Sequence, residues 1–138
     1  MNISNASSYR LTYSPPATAK PTLTEKVGAH FEQKPMDAVF TATEALYVTG
    51  SAFDAAGDLN GLFDGATAAV GVVNLLTSGV QALRARKTEG EEKITTQLQA
   101  AGSFLKGFGM IGASSNMGPL GLAIYGVGVA TSIYADVR

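Results

Sequence analysis

The sequence predicts an all-α fold: a small bundle in which amphipathic helices surround an apolar helical hairpin, behind a disordered N-terminal tail. Three observations carry this expectation. From Met36 onward apolar residues recur at helical intervals. Capping residues, glycines and prolines cut that pattern into segments of helix length. Two long stretches, residues 65–83 and 107–135, contain no charged residue at all. The chain of 138 residues suffices for one domain with a single core. The expected division is a tail over 1–21 and one helical domain over 22–138.

The elements follow in order. Residues 1–21 contain four Ser, three Pro and no acid, and Pro15-Pro16 blocks helix there. No apolar stretch of signal-peptide length follows a basic start, so a Sec-type signal is not expected. Thr22 and Glu25 have the spacing of a capping box, which predicts a short helix that ends before Pro35. His30 lies on that helix near Glu32 and reads as a surface or packing residue.

Over residues 36–56, Val39, Leu46 and Phe53 recur every seven positions, with Ala42, Thr49 and Ala56 between them. This stripe is the expected core face, and Leu46 and Phe53 are expected to be buried. Asp37, Glu44, Asp54 and Asp58 fall together on another side, which is expected to be wet or to dock a basic partner. Gly57, Gly61, Gly65 and Ala69 then stand four apart. In a helix they form a smooth groove suited to close helix packing. The favoured reading is a break near Gly57–Asn60, with Asp58 or Asn60 capping the next helix. The acids of this region do not match a calcium-binding loop, since Ala56 or Leu62 falls at a ligand position in either register.

Residues 60–86 are apolar nearly all round, which predicts a central helix. Val73 and Leu76 are expected in its membrane or packing face. Asn74 and Gln81 share a side and can bond to a neighbouring helix. Thr88 and Glu91 suggest a second capping box for an amphipathic helix over 90–113 with Ile94, Leu98, Ala101, Leu105 and Phe108 on one stripe. The letters GFGMIG at 107–112 fit a dinucleotide fingerprint but lie inside this helical pattern and are discounted. Ser115 or Asn116 is expected to cap the last helix, 119–136, with Pro119 in its first turn. There Leu120, Ile124, Gly128 and Ile133 are expected in the packing or membrane face. The several glycines of this segment imply close packing, since each costs about 1 kcal/mol in an exposed helix relative to alanine.

Composition narrows function. Charged residues make up 15%, against about 25% for a typical soluble domain. The absence of Cys excludes disulfides, thiolate metal sites and a cysteine nucleophile, and one His leaves little material for a metal site or a triad. A net charge of −1, with no aromatic residues among the bases of 84–93, argues against nucleic acid. The expectation is a protein that is not an enzyme, with no cofactor, catalytic residue or metal ligand.

The start Met1-Asn2-Ile3-Ser4-Asn5, followed by a polar, Ser-rich, acid-free segment, resembles the N-termini of bacterial type III secretion substrates. The helical layout resembles membrane-active proteins in which amphipathic helices shelter an apolar hairpin. The resemblance implies a secreted, effector- or translocator-like protein at a host or target membrane. Its implied partners are membrane lipid or a membrane protein, a secretion chaperone, and further copies of itself. The alternative reading is a soluble oligomeric structural component of a virion or secretion machine.

Overall fold

The computed structural model describes residues 20–53 and 60–138. Residues 1–19 of the expected tail, Gly57 of the expected break, and Asp54 and Asp58 of the acidic side lie outside the described residues. Five helices and no strands are found among those described: α1 (Leu23–Gln33), α2 (Pro35–Phe53), α3 (Asn60–Ala85), α4 (Gly90–Ala113) and α5 (Pro119–Val137).

Local chemistry accounts for most of the boundaries. The Thr22 hydroxyl accepts the Glu25 N–H at 3.2 Å, and the Glu25 carboxylate accepts the Thr22 N–H at 2.7 Å, closing the predicted capping box. Only Lys34 separates α1 from α2, because Pro35 cannot continue one helix but suits the first position of the next. Pro119 opens α5 in the same way.

Two predicted caps do not form. The chain enters α4 through an extended Glu89 and a left-handed Gly90 (φ +60°), so the helix starts one residue too late for Thr88 and Glu91 to reach each other's amides. The Thr88 hydroxyl instead donates to the Ala85 carbonyl at the end of α3. At α5 the cap residue is Gly118, also left-handed (φ +49°), and no side chain caps it. Ser115 bonds backward to the Ile111 carbonyl at 2.8 Å, finishing α4 instead of starting α5.

The long helices run up, down, up, down. Ser51 meets Thr67 and Glu44 meets Asn74, so α2 and α3 are antiparallel. Gly71 lies against Gly107 and Ile111, and Gly121 against Gly109, which makes α3, α4 and α5 successively antiparallel. The all-α bundle is as the sequence predicts, but its interior arrangement differs. The two apolar helices, α3 and α5, do not contact each other among the described residues; α4 lies between them, and α2 touches all three. The uncharged stretch 107–135 is therefore the last turns of α4, a link and α5.

Glycine makes this layer possible. A β-carbon on Gly107 would sit 2.6 Å from the Gly71 carbonyl oxygen, and one on Gly128 would sit 2.5 Å from the Lys106 amide nitrogen and 2.8 Å from the Gly102 carbonyl oxygen. These obstacles are backbone and cannot rotate aside. The expected row behaves otherwise: Gly61 and Gly65 have open space where a β-carbon would go, and Ala69 is exposed. That row faces outward, so it is not the packing groove. The apolar core proper is small, consisting of Val48, Ala52, Met110, Ala113 and Tyr125.

Two glycines of α5 separate the packing requirement from helix propensity. Gly126→Ala meets nothing and should stabilise the bundle by up to about 1 kcal/mol. Gly128→Ala should destabilise it by roughly 2–3 kcal/mol through backbone overlap. Thermal melts of the two variants check this, and shifts of the same sign would contradict the close packing of α4 on α5.

Candidate functional site

The bundle is polar and small inside and large and apolar outside. Buried positions include Thr67, Asn74 and Ser78 of α3 and Thr96 and Ser103 of α4, besides the packing glycines. Large apolar side chains are more than half exposed on every helix, for example Leu23, Phe40, Leu62, Leu76, Val80, Phe104 and Leu120. On α4, Phe104 and Phe108 stack in parallel at 6.1 Å and are themselves exposed. Isolated surface hydrophobes are ordinary, but exposed apolar surface in quantity marks an interaction surface.

The stripe on α2 is the clearest correction. Leu46 is 64% exposed and Phe53 57%, and Val39 is exposed as well. The seven-residue spacing is real, but this face points out. The inward face carries Val48 and Ala52, together with half-buried Thr41, Glu44 and Ala45. Of the acidic side expected to be wet, Glu44 enters the bundle. It is 18% exposed and meets Lys106 of α4, 19% exposed, at 3.3 Å. Asn74 donates to the other carboxylate oxygen at 3.2 Å, and the Tyr125 hydroxyl approaches the same group at 3.4 Å. Lys106 interrupts an otherwise uncharged run from Ile94 to Ala113, and Glu44 neutralises it within the helical layer.

From this ion pair a polar cavity of about 290 Å³ extends to the end of the bundle where α5 finishes. Gln81, expected to bond across to a neighbour, lines it with an acceptor oxygen that is buried without a partner among the described residues, as is the Ser132 hydroxyl. His30 is not near solvent with Glu32 but turned inward toward Asp37 and Asp136. Sequence spacing holds no signal for that meeting, because the three residues belong to three helices.

Other expected positions divide by location. Val73, Leu76 and Leu120 are exposed on the outer face, and Ile124 and Ile133 are half-buried. Gly128 is buried in the contact with α4. The GFGMIG segment lies within α4, with Gly107 against α3 and Gly109 against α5.

By length and composition both α3, over Gly61–Ala85, and α5, over Pro119–Val137, could cross a membrane, and an apolar 18-residue window of each is only 22% buried inside the bundle. A core helix of a soluble protein would be mostly buried.

No protein family, curated protein or solved structure matches this chain.

The ion pair yields a direct test. Glu44→Gln leaves a largely enclosed ammonium without its counter-charge and should lower stability by on the order of 3 kcal/mol. Replacing Glu44 by Leu and Lys106 by Met together should recover most of that loss. A double-mutant cycle by denaturant unfolding measures the coupling; additive effects would mean the pair does not interact.

Proposed function

We propose that this chain is a non-enzymatic, secreted bacterial protein, effector- or translocator-like, that inserts into a host or target membrane through its apolar helices. The supporting observation is the inverted distribution of side chains. Lipid offers no hydrophobic drive to bring helices together, so membrane bundles associate through small residues and internal polar bonds and leave large apolar side chains facing acyl chains. Gly71, Gly107, Gly109 and Gly128 fill the first role, Asn74, Glu44 and Lys106 the second, and Leu62, Val73, Leu76 and Val80 the third.

The inserting unit in this reading is the layer α3–α4–α5 with α2 packed on it, which brings Glu44 to Lys106. It is not a simple hairpin, because α3 and α5 do not contact one another among the described residues and are bridged by α4 and α2. Helices satisfy their own backbone groups, as a bilayer requires. The charged link Arg84–Lys93 and the last residues of α5 lie at the same end of the layer and stay in water. The N-terminal segment supports export, and a secretion chaperone would cover the apolar exterior before delivery. The residue inventory supports a role without catalysis.

The experiment is flotation with liposomes followed by a carbonate wash. The wild-type protein should float and resist the wash. Val73 and Val127 are exposed, so Val73→Arg and Val127→Arg leave the bundle interior untouched. Each should add roughly 2.5–3.5 kcal/mol to insertion at the bilayer centre while circular dichroism stays helical. A wild-type chain that never floats would overturn the membrane reading. The exterior would then be the contact surface of a soluble oligomer, with a mass by light scattering several times that of the chain.

A further inference from the structure

Three metal-ligating groups from three helices meet where the polar cavity opens. The His30 side chain, in α1, is 9% exposed, and its Nε2 lies 3.4 Å from Asp37 Oδ2 and 3.8 Å from Asp136 Oδ2. One donor atom from each residue falls within 4.8 Å of the other two. Ligands bonded at about 2.0–2.2 Å around one tetrahedral ion stand roughly 3.3–3.6 Å apart, so small side-chain adjustments bring the three onto one ion. Asp136 is held for this purpose: its Oδ1 accepts a hydrogen bond from Gln99 Nε2 at 2.8 Å, leaving Oδ2 toward the imidazole. Such outer contacts orient ligands in metal sites. The adjoining cavity has two orphaned polar atoms in its walls, Gln81 Oε1 and Ser132 Oγ, and gives polar room for water at a remaining coordination position.

We propose that His30, Asp37 and Asp136 form a divalent transition-metal site of the zinc type, which clamps α1 onto α2 and α5. One imidazole and two carboxylates suit zinc; magnesium, which prefers oxygen ligands in octahedral geometry, fits poorly. The clamp has a structural purpose, because α1 contains no fully buried residue and, among the described residues, touches only α2 and α5. Binding to the folded chain alone would stabilise it by mass action. The inference does not depend on the membrane reading.

The test uses the full chain freed of metal with a chelator, titrated with zinc chloride by calorimetry and followed by thermal melting, with magnesium chloride as control. One zinc per chain should bind and raise the melting temperature by several degrees, and magnesium should do neither. Asp136→Asn and Asp37→Asn preserve side-chain shape and should each weaken zinc binding at least about tenfold, with the far-UV spectrum unchanged. His30→Ala should do the same; if it loosens α1, the two Asn variants still decide the matter. Absence of zinc binding, or equal affinity in the wild type and both Asn variants, would overturn the proposal.

Discussion

Everything in this fold depends on the approach of the α4 backbone to α3 on one side and α5 on the other. Glycines at the contacts remove the β-carbons that would hold these helices apart. Individual van der Waals contacts contribute little, but many accumulate where two backbones touch along their length. Carbonyl oxygens of Gly102, Gly109 and Gly121 lie at these contacts, where any β-carbon would overlap them. Because this layer is held by backbone, the large side chains are free to face outward.

The polar interior follows from the same constraint. A contact lined by glycine, serine and threonine has no bulky apolar groups to exclude polar ones, and it leaves space beside α2. Glu44 and Lys106 occupy that space, each supplying the other's counter-charge, while Asn74 ties the carboxylate to α3. An unpaired charge there would be strongly unfavourable in either a protein core or a bilayer. The pair also sets how α2 sits, since Val48 and Ala52 complete its inward face beside Met110 and Ala113.

Helix boundaries were legible in the sequence because local chemistry decides them. Thr22, Pro35 and Pro119 act through their own backbone bonds, and α4 and α5 begin and end within a residue of expectation. The direction each helix faces was not legible. Periodicity shows that Val39, Leu46 and Phe53 share a face, but it does not show which way that face points, and the inward face is the one that carries Val48 and Ala52. The sequence points to packing at the row Gly61–Gly65 and at the glycines of α5 but not at Gly71, Gly102, Gly107 or Gly109. Nothing local distinguishes Gly61 and Gly65, which face outward, from Gly107 and Gly128, which pack. Only the neighbouring helix distinguishes them. The meeting of His30 with Asp37 and Asp136 depends on how α1 docks, which no local pattern encodes.

The scarcity of large side chains in the interior has a calorimetric consequence. The heat capacity increment of unfolding reflects newly hydrated apolar surface, offset by newly hydrated polar surface. Here Leu46, Leu62, Leu76 and Val80 are already solvated in the isolated bundle, while the buried contacts are rich in peptide groups. The increment should fall below the usual ~12–15 cal/mol/K per residue. A small increment flattens the curve of stability against temperature. The isolated chain would then gain little from the hydrophobic term that normally shapes that curve, and its thermal behaviour would reflect the enthalpy of close contact.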